Sequence, residues 1–135
     1  MQIKFSPLLV QDQDEALRFY TQQLGFEPCA DIPMGPYRFL TVRSPEGLAG
    51  VELVLQPLGF EPARVYQRAL YEAGMPAAAF TTADIAAEYE RLRARGVRFR
   101  EPPRPMGPII GALFEDGCGN LIHLVQPLVT PGSKT

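Results

Sequence analysis

His123 is the only histidine in this 135-residue chain, so any imidazole chemistry must run through it. It lies in Ile122-His123-Leu124, and Glu52 lies 71 residues earlier in the matching context Val51-Glu52-Leu53. Alternation along a strand sends Val51, Leu53 and Leu55 to one face and Glu52, Val54 and Gln56 to the other. With the apolar set packed on helices, the carboxylate and the imidazole both point away from the packed face. Glu52 and His123 are therefore the candidate catalytic residues, as a cofactor-free acid–base pair or as groups that orient a ligand by hydrogen bonds. The plainer alternative pairs Glu52 with Arg38 or water and leaves His123 half-exposed on its strand. A symmetrical turn at Pro45 to Leu48 would set Thr41 opposite Glu52, Phe39 opposite Val54 and Tyr37 opposite Gln56. Tyr37, Phe39, Thr41, Val54 and Gln56 are accordingly the candidate ligand-binding residues. A one-residue shift would expose Arg38, Leu40 and Val42 instead, and Arg38 would then clamp a carboxylate. Cys118, in a Gly-flanked turn that suggests exposure, has no neighbour that would activate a thiol.

The elements that must position these residues occur twice. Pro33-Met34-Gly35-Pro36 recurs as Pro105-Met106-Gly107-Pro108, and the same 72-residue offset carries Asp12 onto Asp84; Gln56-Pro57 answers Gln126-Pro127 at an offset of 70. In the first module, over 3–57, Ile3 to Val10 reads as a strand. Asp12 then supplies a helix N-cap with Glu15 at the capping-box spacing, and Ala16, Leu17, Tyr20 and Leu24 fall on one helical face before Gly25 stops it. Strands are expected at Phe26 to Ile32, Tyr37 to Val42 and Val51 to Gln56, with Pro33-Met34-Gly35-Pro36 as a turn. A linker helix is expected within 58–75, opened by Pro62 and closed by Gly74, with Val65, Ala69 and Leu70 at near-helical spacing. The second module, 76–127, repeats the order: strand Ala77 to Thr82, helix Asp84 to Arg95 with Ile85, Tyr89 and Leu92 inward, then strands Val97 to Arg100, Ile109 to Phe114 and Leu121 to Gln126. Asp116-Gly117-Cys118-Gly119-Asn120 predicts the hairpin between the last two. Residues 128–135 form a short tail, polar and frayed from Thr130.

This tandem order, with Val10-Gln11-Asp12, Ala16-Leu17-Arg18-Phe19-Tyr20, Leu24-Gly25-Phe26 and Gly119-Asn120-Leu121-Ile122, resembles the glyoxalase/bleomycin-resistance/extradiol-dioxygenase superfamily, the vicinal oxygen chelate proteins, over residues 3–127. The resemblance implies an α+β single domain of two βαβββ modules, forming a curved mixed-sheet half-barrel cup with helices on the convex side. It also implies a homodimer, with the paired modules drawn from one chain or from two. Metal-dependent members carry one ligand on the first strand and one on the last strand of each module. Those places fall on Phe5 and Ala78, which cannot bind a metal, and on Glu52 and His123, which can. Two of four ligands are an incomplete set, since a catalytic zinc or a facial iron triad uses three.

Composition narrows the partners. A net charge of −2 without a run of Lys or Arg excludes the electrostatic footprint of nucleic-acid binding. No apolar stretch is long enough to span a membrane, and no secretory pattern opens the chain. Two cysteines make no disulfide framework and fit a reducing, cytoplasmic setting. The expectation is a small-molecule-binding protein that holds an apolar or aromatic compound in the cup without a cofactor. The alternatives are a metal-dependent lyase, isomerase or dioxygenase using Glu52 and His123 with Zn, Ni, Mn or Fe, and a dimerisation module whose cavity is vestigial. One scaffold hosts all three, so the fold alone does not choose.

Overall fold

The computed structural model describes residues 1–128; the remainder of the expected tail lies outside them. The chain runs β1 (Phe5–Val10), α1 (Gln13–Arg18) with a π-helical turn (Phe19–Gln23), β2 (Glu27–Met34), β3 (Tyr37–Arg43), β4 (Glu52–Pro57), α2 (Glu61–Glu72), β5 (Ala78–Thr81), α3 (Ile85–Ala94), β6 (Arg98–Phe99), β7 (Arg104–Met106), β8 (Ile109–Glu115) and β9 (Leu121–Pro127). The strands form two mixed sheets in the orders β1-β4-β3-β2 and β5-β9-β8-β6, with β7 also pairing β8. In each sheet the first strand runs parallel to the last and the other pairings are antiparallel.

Local chemistry explains where the helices begin and stop. Asp12 Oδ1 accepts from the Glu15 amide at 2.9 Å and Asp84 Oδ1 from the Ala87 amide at 3.1 Å, satisfying donors that open helix ends leave free. Gly25, Gly74 and Gly96, with φ of 83°, 71° and 88°, turn the chain out of each helix. The first helix is not α-helical to its end. Thr21 donates its hydroxyl to the Leu17 carbonyl at 2.6 Å, and Leu24 N reaches back five residues to Phe19 O. The widened turn buries both Phe19 and Tyr20.

Four expectations change. Pro33 and Met34 belong to β2, paired with Arg38 and Tyr37, so the turn shrinks to Gly35 and Pro36; Gly35 at φ 63° followed by proline suits a two-residue hairpin. The strand expected at Val97 to Arg100 shortens to β6, and an additional strand, β7, follows Pro102 and Pro103, which have no amide to donate to β8. Val65 and Ala69 of α2 face solvent, and Gln67 faces inward. That helix lies on polar main chain: Gln67 Nε2 is 2.9 Å from Leu9 O, 3.1 Å from Cys118 O and 3.2 Å from Asn120 Oδ1. Cys118, expected to be exposed, is buried in the same place.

One core serves both halves. Leu8, Val10, Leu40, Val42 and Leu55 from the first sheet join Ala112, Phe114, Ile122 and Leu124 from the second around Ala16, Phe19, Tyr20, Ile85 and Leu92 of the helices. The Phe19 ring stacks on Phe114, and Tyr20 meets Phe80 edge-on. Burying each large side chain contributes about 1.5–3 kcal/mol. Because the helix-covered faces share this core, the opposite faces of both sheets lie outside it.

Candidate functional site

The outer face of the first sheet is built on three strands. β3 and β4 pair Thr41 with Val54 and Val42 with Leu53, so Thr41 is not opposite Glu52, and Phe39 and Tyr37 are not opposite Val54 and Gln56 as a symmetrical turn would set them. Residues 44–51 make two successive turns, closed by Gly47 N to Ser44 O and Val51 N to Leu48 O, with Gly50 at φ 81°. The second turn shifts the register by two residues. A two-residue shift keeps every side chain on its face. Thr41, Glu52 and Val54 therefore share a wall with Tyr37 and Phe39, while Leu40 and Val42 are wholly buried in the core. Arg38 is turned to the helix side, where Asp14 and Asp31 hold it; it does not reach Glu52.

Glu52 has two partners. Thr41 donates its hydroxyl to Glu52 Oε1 at 2.6 Å and itself accepts from the Ala30 amide at 3.0 Å. Lys4 Nζ stands 2.8 Å from Glu52 Oε2. The Lys4 bond and then the Thr41 bond hold the carboxyl below its ordinary pKa, so Glu52 is a carboxylate at neutral pH. Sequence reasoning missed Lys4. The signal was the parallel pairing of β1 with β4, which sets Phe5 beside Glu52 and brings Lys4 alongside. Phe5 packs edge-on against Phe39 at 5.4 Å, giving this wall an aromatic floor beside the ion pair.

The outer face of the second sheet carries His123, with Leu113 opposite it on β8 and Ala79 opposite it on β5. The first-strand place beside His123 is therefore Ala79; Ala78 pairs Ile122 and packs against the core. No hydrogen bond or ion pair joins Glu52 to His123 among the described residues, and no group of three or more His, Cys, Asp and Glu side chains there is arranged to hold a metal ion. At the four family ligand places stand phenyl, carboxylate, methyl and imidazole, and the carboxylate is already bound to an ammonium. This donor set does not fit the metal site of the metal-dependent relatives.

Two cavities lie elsewhere on the surface of the described residues. One of about 390 Å³ lies where β1 and the entry to β5 approach under α2, lined by Pro7, Leu9, Gln56, Tyr66, Leu70 and Ala77 among others. Another of about 270 Å³ is lined by Asp12, Asp14, Tyr37, Arg38, Leu58 and Arg64 with their neighbours. Gln56 and Tyr37 thus open onto different cavities, while Phe39, Thr41, Val54, Glu52 and His123 line neither. No helix among the described residues is long and apolar enough to cross a membrane.

A family model described as the Glyoxalase/Bleomycin resistance protein/Dioxygenase superfamily matches residues 3–124. The uncharacterized protein YurT of Bacillus subtilis (strain 168) is 46% identical over 126 residues, which cover 93% of this chain and 99% of that protein. Among solved structures, UcmS2 superposes with a TM-score of 0.79 at 32% identity, covering 93% of this chain and 97% of its own. TnmS3, an antibiotic binding protein from Streptomyces sp. CB03234, superposes with a TM-score of 0.72 at 30% identity, covering 94% of this chain and 96% of its own.

Proposed function

The chain belongs to the Glyoxalase/Bleomycin resistance protein/Dioxygenase superfamily, and from that membership we propose that it binds a small apolar or aromatic molecule on the outer walls of its two sheets, without a full metal-ligand set. The observation that carries this reading is the engagement of Glu52 by Lys4 and Thr41 beside the Phe5–Phe39 pair. A wall with an aromatic floor and a few fixed polar groups is suited to orienting a small ligand. The same carboxylate is poorly suited to donating a proton at neutral pH, and a metal would have to displace Lys4 to reach it. Thr41 and Val54 extend the wall, Tyr37 and Gln56 supply polar groups toward its end, and His123 supplies one on the wall of the second sheet. The antibiotic-binding description of TnmS3 supports a ligand of this kind.

A homodimer belongs to the same proposal. Both walls lie outside the shared core, and Phe5, Ile32, Met34, Tyr37 and Met106 remain 40–61% exposed in the single chain. A second copy facing these walls would close the cup, with Glu52 contributed by one protomer and His123 by its partner. Exposed Cys29 and unpaired Cys118 suit a reducing, cytoplasmic setting.

The test strips the protein with chelator, dialyses it against Zn, Ni, Mn or anaerobic Fe(II), and quantifies bound metal by mass spectrometry. A screen of planar aromatic compounds by thermal shift runs in parallel. Substoichiometric metal, together with an aromatic hit weakened by about 1–3 kcal/mol in Glu52→Ala, is the expected result. Near-unit metal occupancy lost in both Glu52→Ala and His123→Ala would replace this reading with a metal-dependent lyase, isomerase or dioxygenase. Neither metal nor aromatic binding would leave a dimerisation module.

A further inference from the structure

Among the described residues, eight glycines adopt positive φ, and Gly111 is not one of them. Its missing side chain answers to space. A Cβ at that position would stand 2.5 Å from His123 Nε2, 3.3 Å from His123 Cε1 and 3.0 Å from Met106 Sδ. Optimal contacts between heavy atoms of this kind lie near 3.5–4.0 Å, so the imidazole already fills the volume. The register shows how it gets there. His123 pairs Leu113, Gly111 pairs Val125, and all four share the outer face, so the ring leans diagonally across β8 with its Nε2 edge over Gly111. Met106 arrives from β7, which pairs Met106 with Ile109 and Arg104 with Gly111.

The first sheet solves the same place differently. Met34 and Phe39 precede Met106 and Gly111 by the 72-residue repeat offset. There the β3 strand carries its own ring, Phe39, packed on Phe5; in the second sheet β8 is bare at Gly111, and a ring is laid over it from β9.

We propose that Gly111 is the positioning residue for the sole imidazole. Its empty Cβ position keeps His123 lying on β8 with Nε2 tucked beside the Met106 thioether, so the wall offers a ligand the face of a flat ring. A side chain at 111 would lift the ring into the cup, making the wall shallower and turning Nε2 outward. Residue 111 thereby sets the room left for a planar ligand and the exposure of Nε2. This specificity role rests on the ligand-wall reading, while the positioning itself is tested without any ligand.

A single histidine gives a single imidazole Cε1 proton. In the wild-type protein that proton should show nuclear Overhauser contacts to Gly111 Hα and the Met106 methyl; their absence would overturn the proposal outright. Diethyl pyrocarbonate, which acylates imidazole nitrogen, should modify Gly111→Ala and Met106→Ala several-fold faster than wild type. Gly111→Ala should also lower Tm, and Gly111→Ala/His123→Ala should recover most of that loss, or recover folding if the single variant does not fold. Unchanged acylation rates with additive Tm losses would sink the positioning claim and leave the wall to its own binding screen. Failure of that screen with the coupling intact would instead remove the wall reading alone.

Discussion

The Thr41 hydroxyl bridges two strands, accepting from the Ala30 amide of β2 at 3.0 Å and donating to Glu52 Oε1 of β4 at 2.6 Å. Thr41→Val keeps the shape and removes both bonds. The expected cost is about 1–3 kcal/mol in urea unfolding, because an amide and a carboxylate lose partners together. A variant as stable as wild type would show that water replaces the hydroxyl without penalty.

Glu52 should shape the acid limb of stability. Its folded-state pKa is depressed below the ordinary 4.5 by the Lys4 bond and then the Thr41 bond. The stabilisation is therefore present above that ordinary value and is lost as pH falls through the folded one. Urea midpoints measured across this acid range should fall less steeply in Glu52→Gln than in wild type. Parallel curves would mean that the ion pair has no net effect.

The alkaline limb should belong to Tyr20, which donates to Asp116 Oδ2 at 2.7 Å in the core. Burial first, and then the Asp116 charge, raise its pKa well above 10.0. A raised folded pKa gives stability that is complete below the unfolded value and drains as pH climbs past it, since only the unfolded chain readily ionises. Tyr20→Phe should lower stability at neutral pH by about 1.5–3 kcal/mol, for a bond to a charged acceptor. It should also flatten the decline above pH 10.0.

The two thiols should separate by reactivity. Cys29 is exposed, whereas Cys118 is buried with its pKa pushed up to about 12 by burial and then by Asp116. Titration with a disulfide reagent at neutral pH should label one thiol in the native protein and both after denaturation. Rapid native labelling of Cys118 would mean that the β8–β9 hairpin opens readily.

Gly119 should tolerate no side chain. Its φ is 95°, and a Cβ would come within 2.7 Å of Gln67 Oε1 and 2.8 Å of Gln11 Nε2. Gly119→Ala should destabilise by more than the ~1 kcal/mol scale of a positive-φ penalty alone. Measured by thermal unfolding within a Gln67→Ala background, the penalty of Gly119→Ala should shrink by the Gln67 clash and keep the conformational part and the Gln11 contact. No remaining penalty in that background would show that backbone strain contributes nothing.

Much of the fold was legible because its signals are local. Asp12 and Asp84 cap, Gly25, Gly74 and Gly96 stop, and period-two alternation separates Glu52 from Leu53 and His123 from Ile122. What escaped depends on partners distant in sequence. The 44–51 loop hides a second turn, so the pairing of Thr41 was misplaced by two residues while its face was not. Gln67 reads as a solvent residue until the carbonyls of Leu9 and Cys118 are seen beneath it. The π turn at Phe19 coincides with a threonine hydroxyl bonding back to Leu17, which no hydrophobic period registers. At the candidate site, the strands of Glu52 and His123 were readable from alternation, but Lys4 was not, because its approach needs the parallel β1–β4 pairing. Gly111 carried a usable clue: it stands where the repeat places Phe39.

The shared core has a consequence for how the chain comes apart. Asp116 lies in the second half, and the hydroxyl that helps hold its charge in the interior comes from Tyr20 in the first. Gln67, on the helix between them, holds main-chain oxygens on both sides. Severing the chain between β4 and α2 would yield two fragments, each with the right succession of strands and helices. The second would expose a carboxylate to water and the first would expose Tyr20 and its aromatic neighbours, so neither fragment would hold its native shape until mixed with the other. The order of elements is written twice along the chain, but the instruction to stay folded is distributed across both copies and is complete only when they are read together.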